Sequence, residues 1–474
     1  MTFDNPEYDS FFLVLLNRFS SPEQKEVQLV MRGGYPHIEF IELYIPENLN
    51  IDLIILEHPL PRGVKRDKLL YILHLIYYLP SRKKRDYEQE DGFTNICKSI
   101  LGKTVKKARE HIDYLKAVGI IEESKNYIPN VKCRGLRFTE KYRKPLVPVK
   151  ITDWSLIKNI KYLRIYYDVD KTEELKFLEK WFNHLTIDFE GAQEYLKEQY
   201  HQDIASENVL YPDKRLNSRI LPIQQLHRRD KLFIVDSTAG RLHTNITQLK
   251  SELRKYVKYK DKVLCSIDLC NSQPYLMQSL LDKDLFIQNE MQERIAGVFN
   301  LNRNINVQED IEKLSHKDDI KKFREIVTNG NFYEEFAALL IENGELQDVP
   351  KDKIRDVVKE ITFSTIFSKN YAIRNNDAIR LFKRNFPHVY EIISEIKRNH
   401  HPTLAVILQN LEADLFLNKC CKIISENKPD IPLFTLHDSI ITTEENIEYV
   451  ESIILQVLTE SIGVKPKLKI ERWE

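Results

Sequence analysis

The sequence predicts an α+β chain of 474 residues, long enough for about two or three domains. Three observations carry that expectation. Apolar runs at Val263–Ile267 and Ile431–Leu436, each bounded by charged or turn residues, read as short buried strands. Segments such as Glu173–Leu185, Phe189–Tyr200 and Lys353–Phe367 show the 3.6-residue periodicity of helices. A hydrophobic content of 42% supplies a sizeable core, and no apolar run approaches the roughly 18 residues that mark a bilayer-spanning helix.

The two apolar runs lead into Asp268 and Asp438. Adjacent strands in one sheet would bring these carboxylates together, and a carboxylate pair sharing divalent cations suits in-line phosphoryl transfer. A strand-end Asp is also a common turn former. Between them, Arg355, Lys359, Phe363 and Phe367 recur every four residues, which a helix places along one slowly drifting stripe. Two cations followed by two rings match the needs of a triphosphate and a nucleobase. The plainer alternative is an amphipathic helix with core phenylalanines and snorkelling cations.

In this order the blocks resemble a family A DNA polymerase, the class of bacterial DNA polymerase I, and more distantly the single-subunit phage-type RNA polymerases. Thr238-Ala239-Gly240-Arg241-Leu242 with Asn245, Gln248 and Leu249 is similar to the segment before motif A. Asp268 with Ser272 and Gln273 resembles motif A, the Arg355 to Phe367 stripe motif B, and His437-Asp438-Ser439 motif C. Gln409-Asn410-Leu411-Glu412-Ala413-Asp414 is similar to the helix that precedes motif C. The resemblance covers the C-terminal half, roughly residues 237–443.

The resemblance implies a right-hand palm, fingers and thumb, and an enzyme that transfers nucleotides from dNTPs to a primer 3′-hydroxyl on a DNA primer-template. Asp268 and Asp438 would hold two Mg2+ ions. Arg355 and Lys359 would grip the triphosphate, with Lys359 placed to protonate the leaving group, and Phe363 and Phe367 would meet the nucleotide. Arg241, Gln409 and His437 would lie near the primer terminus and minor groove. Gln273 stands where the family's DNA polymerases carry a Glu that blocks the ribose 2′-hydroxyl and where RNA polymerases carry Gly. Ser439 replaces the second acid of motif C, as in the phage-type RNA polymerases. Synthesis of RNA or primers from rNTPs, and a catalytically silent DNA-binding initiator or regulator, therefore stay open beside DNA synthesis. No upstream block resembles a proofreading exonuclease, and the short layout suits a phage or mobile element.

Net charge is zero but unevenly spread. Residues 61–150 carry 22 basic and 10 acidic side chains, a net +12 that suits phosphate backbones, although a solvated basic face would look the same. The expected order in this block is a helix at Lys68–Leu79, a basic linker at Arg82–Arg85, helices at Thr94–Leu101 and Thr104–Ala117, a Gly119 C-cap, and strands at Ile120–Glu122 and Leu136–Phe138. That order resembles a winged helix, with Lys106, Lys107 and Arg109 on the recognition helix against duplex DNA.

The expected domains are then a small acidic unit at 1–60 with strands at Glu39–Tyr44 and Ile51–Leu56, the basic module at 61–150, a helical thumb-like region at 151–232, and a palm at 233–474 with fingers inserted at about 286–370. Six cysteines without C-x2-C spacing read as reduced packing residues, not a zinc site. An acidic N-terminus without a basic n-region suits a cytoplasmic protein with no membrane partner.

Overall fold

The computed structural model describes residues 31–32, 35–81, 92–125, 133–162, 168–206, 209–282, 313–398 and 400–474. Helices and antiparallel strands are both present, as the α+β expectation requires, and the apolar side chains gather into two cores. The basic linker at 82–85 and the part of the fingers region from 286 to 312 lie outside the described residues.

The N-terminal core forms around strand β1 (Ile41–Pro46), helix α1 (Ile51–Glu57) and helix α2 (Arg66–Ser81). Helix α2 is buried almost all round, which its run of Leu, Ile and Tyr dictates. The expected strand at Ile51–Leu56 is a helix instead: the Asn50 side chain accepts from the Asp52 and Leu53 N–H groups, and this cap overrides the β-branched run. Strand β2 (Thr94–Asn95) occupies the start of the segment expected to be helical, and helix α3 (Lys98–Thr104) begins only after it.

Helix α4 spans Ala108–Ala117, so the expected helix from Thr104 is corrected at its start. Val105 is fully buried and ends α3, and Lys107 turns the chain with a left-handed φ of 61°. Lys106 and Lys107 therefore sit in the turn before α4, and only Arg109 lies on it. The His111 ring locks this turn, accepting from the Lys65 N–H through Nε2 and donating to the Lys107 carbonyl through Nδ1. Gly119 ends the helix with a φ of 70°.

Strands β3 (Ile121–Glu123) and β4 (Gly135–Phe138) pair antiparallel, and β4 also pairs β2, giving the order β2-β4-β3. Strand β5 (Leu146–Ile151) then pairs all along β1, from Ile41 against Ile151 to Pro46 against Leu146. The expected boundary at residue 60 does not separate two cores, because this ladder ties residues 41–46 to the basic block.

Helix α5 (Trp154–Tyr162) follows. The expected helix at Glu173–Leu185 is broken into short helical turns and ends in strand β6 (Leu185–Ile187), the edge strand of the main sheet. Helix α6 (Phe189–Ala205) matches its periodicity, and the Asp188 side chain caps it at the Gly191 N–H. Helix α7 (Pro212–His227) joins the two cores: Leu216, Ile220, Ile223 and Leu226 enter the larger one, while Leu221 enters the N-terminal one. Across the same junction the Tyr77 hydroxyl donates to Asp213 at 2.5 Å.

Strands β7 (Phe233–Val235) and β8 (Leu242–Thr244) form a hairpin. Strands β9 (Val257–Tyr259), β10 (Lys262–Leu269), β11 (Phe434–Thr435), β12 (Ser439–Thr443) and β13 (Leu468–Arg472) complete the main antiparallel sheet. Its order is β11-β12-β10-β9-β6, with β13 also on β10. Between β10 and β11 come α8 (Ser272–Met277), α9 (Asp318–Thr328), α10 (Phe332–Glu342), α11 (Ile354–Phe367), α12 (Asp377–Asn385), α13 (Pro387–Ile396) and α14 (Thr403–Ala413). Helix α15 (Ile447–Ile462) packs on the sheet after β12. Among the described residues, no helix is long and apolar enough to cross a membrane. Cys265, Cys420 and Cys421 are buried packing residues, while Cys97, Cys133 and Cys270 are half-buried thiols.

Asp230, at the junction after α7, has its carboxyl pushed up to about 7 by burial, with Lys161 and Arg228 pulling it down. The folded protein thus holds this proton more tightly than the unfolded chain. Its contribution is complete below the ordinary carboxylate range and is lost as pH rises through about 7. Asp230→Asn is expected to be more stable than the wild type at pH 8 by about 1–3 kcal/mol and to flatten the decline between about pH 4 and 7. Urea unfolding across that range tests this, and an unchanged pH profile would remove Asp230 as its source.

Candidate functional site

Asp268 is the penultimate residue of β10, which is paired on both sides at this point: Ser439 of β12 faces it from one neighbour and Lys469 of β13 from the other. Asp438 is the last of the three residues that connect β11 to β12, and not part of a strand. His437 turns the chain there with a left-handed φ of 56°, and the Leu436 N–H donates to the Ser439 carbonyl across the tip. The Leu269 N–H donates to the Asp438 carbonyl at 3.2 Å, which fastens the hairpin tip to the end of β10. The two aspartates are thereby neighbours.

Their electrostatics follow from that placement. The Asp268 carboxyl is raised above its ordinary range, first by burial, and the Asp438 and Glu471 carboxylates push the same way. Hydroxyls of Ser266, at 2.9 Å, and Ser439 oppose the rise. Glu471 faces Ser266 from β13, on the same sheet face as Asp268. Burial lowers the Arg254 guanidinium, while Asp268, Glu471, Glu252 and Asp438 raise it, so one arginine answers several acids. Two aspartates with surplus negative charge fit a hard cation, which takes one or two carboxylates and completes its shell from water and phosphate. Among the described residues, no group of three or more His, Cys, Asp or Glu side chains is placed to hold a metal ion, at these aspartates or elsewhere.

Helix α11 turns Val358, Thr362, Thr365 and Ile366 inward. The expected stripe lies on the other side: Arg355 and Lys359 are exposed, and Phe363 and Phe367 are half-buried, their rings stacked at 5.8 Å and 26°. Phe367 also packs against the edge of the main core. Arg355 donates to Glu334 of α10 at 2.9 Å and lies over the Tyr333 ring. Burial raises the Cys270 thiol, with Lys467 and Arg355 pulling it down, so Arg355 acts beside the end of β10. An exposed pair such as Arg355–Glu334 is worth roughly 0–1 kcal/mol and is easily exchanged for a better anion.

Arg241 closes the loop between β7 and β8. Asp236 organises that loop: Oδ1 accepts from the Thr238 and Ala239 N–H groups, Oδ2 from the Arg241 N–H, and the His243 ring stands 3.1 Å from Oδ2. Gly240 takes a φ of 66°, which the turn requires. From α14, the Asn410 amide donates to the Thr238 carbonyl at 3.1 Å, and Gln409 beside it is half-buried. Arg241, Glu412 and His437 line one small cleft, and the His437 ring meets that of His243 edge to face at 6.2 Å.

Gln273, the second residue of α8, is only 7% exposed. Its amide donates to Glu412 Oε2 at 2.8 Å, and Arg241 reaches the same carboxylate through Nε at 3.0 Å and Nη2 at 2.9 Å. Sequence reasoning missed Glu412, Asp236, Arg254 and Glu471. The first carried a signal, an acid on the apolar face that Leu408, Leu411 and Leu415 define in α14 and its continuation. The chain then passes into a π-helical stretch, Asp414–Cys421, of the kind that recurs at functional sites.

Lys106, Lys107 and Arg109 belong to the N-terminal unit and do not join this cluster. All three are exposed, the Lys107 ammonium lies against Gly63, and Arg109 is within 3.7 Å of Asp113.

No protein-family model matches the sequence, and no curated protein matches it. Among solved structures the chain is similar to the POL domain of Pol1 from M. smegmatis in complex with DNA primer-template and dNTP. The TM-score is 0.40 at 10% identity, over 67% of this chain and 71% of that one. A likeness at that level carries no functional weight.

Asp236→Ala is expected to lower unfolding free energy by about 2–4 kcal/mol, because it orphans three turn N–H groups. Burial raises the Asp236 carboxyl, but the His243 bond and backbone donors bring it below its ordinary value. The contribution is therefore present above the unfolded carboxylate pKa of about 4 and is lost as pH falls below it. Acid titration of unfolding in both proteins tests this; a difference that persists at low pH would refute it.

Proposed function

We propose that the chain is a template-directed nucleotidyltransferase, a DNA polymerase without a proofreading domain that extends a primer 3′-hydroxyl with dNTPs. The observation that carries this reading is the convergence of Asp268 and Asp438 at one end of the main sheet, with Arg355 of the α11 stripe acting at Cys270 beside it. Right-hand palm, fingers and thumb are the matching roles for the main sheet, the α9 to α11 helices and the 151–232 region. The compact layout suits replication or repair of a phage or mobile element.

Asp268 and Asp438 would hold two magnesium ions in this reading, and those ions would supply charge neutralisation at the attacking and leaving oxygens. Arg355 leaves Glu334 for the triphosphate, and Lys359, one turn on, delivers a proton to the leaving pyrophosphate. Phe363 and Phe367 offer stacked planes to the base. Gln273 takes the position beside the sugar in this reading, and Arg241, Gln409 and His437 follow the primer terminus along the minor groove. The three-stranded β2-β4-β3 sheet with α2, α3 and α4 acts as a winged helix on duplex DNA.

Magnesium-dependent extension of a labelled DNA primer, with separate dNTP and rNTP mixes, is the direct test. Asp268→Ala and Asp438→Ala are each expected to reduce extension by about a thousandfold or more while duplex binding is unchanged. Substantial extension by either variant would sink the metal assignment. Extension with rNTPs alone would favour RNA or primer synthesis, and duplex binding without any extension would favour a silent initiator.

The module has its own test. Replacing Lys106, Lys107 and Arg109 together by Ala should weaken duplex binding and flatten its salt dependence by about 0.9 per lost phosphate contact. An unchanged salt slope would exclude this surface.

A further inference from the structure

The Glu412 side chain is 2% exposed, yet it is a potential charge inside a helical stretch that continues from α14 through Asp414–Cys421. Such a group persists only if its partners are built in. Arg241 supplies a forked pair of bonds to the carboxylate, and the Gln273 amide adds a third at 2.8 Å. Three segments far apart in sequence, the loop between β7 and β8, the start of α8 and the end of α14, thus share one carboxylate.

We propose that Glu412 is a positioning residue that holds Gln273 and Arg241 as one rigid unit and, through Gln273, sets discrimination between deoxyribose and ribose in the incoming nucleotide. The inference rests on the polymerase reading and deepens it. An amide with one rotatable tail and no anchor yields to a 2′-hydroxyl; one tied by its nitrogen to a buried carboxylate does not. The same carboxylate dictates the residue at 273. A Glu there would set two carboxylates within hydrogen-bond distance, so an amide is the side chain of that length that fits.

The experiment compares single-nucleotide kcat/KM for dNTP and rNTP on a DNA primer-template in the full chain. Glu412→Gln is expected to lower the dNTP to rNTP ratio by about tenfold or more, and Gln273→Ala by at least as much. Combining the two should lower it no further, because Glu412 acts through Gln273. The reciprocal exchange, Glu412→Gln with Gln273→Glu, keeps one carboxylate and one amide and is expected to restore the ratio to within about threefold of wild type. A merely structural loss would slow both sugars equally. An unchanged ratio in folded Glu412→Gln, or additive losses in the combined variant, would overturn the inference.

Should Glu412→Gln not fold, Tm decides: Gln273→Glu alone should lower it and the exchange should recover it, and no recovery would refute the pairing. Failure of the polymerase reading looks different, since wild type would then extend with neither sugar.

Discussion

Strand β10 is the element on which the rest depends, because it is hydrogen-bonded on both sides where it carries Asp268. Strand β12 fixes Ser439 opposite Asp268, and β13 fixes Lys469 there. A slip of one residue in either ladder would turn Asp268 to the other face and bury Ile267 against nothing. The apolar alternation of Cys265, Ile267 and Leu269 therefore secures the position of the carboxylate as a by-product of burying its neighbours. The hairpin tip follows, since β12 cannot pair in this register without setting Asp438 against Leu269. Like charges are held together by hydrophobic pairing that their repulsion is too weak to undo.

Much of this was legible in the sequence, and the parts that were not share a cause. The β10 run, the α2, α6 and α11 helices and the exposed stripe follow from periodicity, which is local. Ile51–Glu57 was misread because its apolar run suits a strand, while the Asn50 cap that decides for a helix rests on two backbone bonds. The break at Lys106–Lys107 depends on Val105 being drawn into the N-terminal core, a tertiary fact. Strand β6 forms because β9 offers it an edge, which no reading of residues 173–185 contains. The pairing of β1 with β5 joins residues about a hundred apart in the chain, and so erased a boundary that composition had suggested.

The candidate site divides in the same way. Asp268, Asp438 and the Arg355 to Phe367 stripe were readable from residue type and spacing. Asp236 and Arg254 were not, since each acts through partners that only folding assembles. Glu412 lies between these cases. Its position on an apolar helix face was a signal that went unread, and its partners Arg241 and Gln273 are 171 and 139 residues away.

Two acidic clusters in one domain invite the question of which is reactive, and their charge balance separates them. Around Asp268, burial raises the carboxyl and Asp438 and Glu471 push the same way, while Arg254 answers several acids and Lys469 stands opposite Asp268 on β13. Burial and like charge both make the ionised form of Asp268 costly there. Around Glu412 both carboxylate oxygens accept hydrogen bonds, from an arginine fork and an amide. Nothing is gained there by a ligand, and much is lost if a partner is removed. An unbalanced, partly open cluster is suited to binding and reaction, whereas a balanced and buried one is suited to holding other groups still. The loop between β7 and β8 touches both, since its Arg241 is bound by Glu412 in the cleft that His437 also lines, one residue before Asp438. Rigidity in the balanced cluster is in this way delivered to the edge of the unbalanced one.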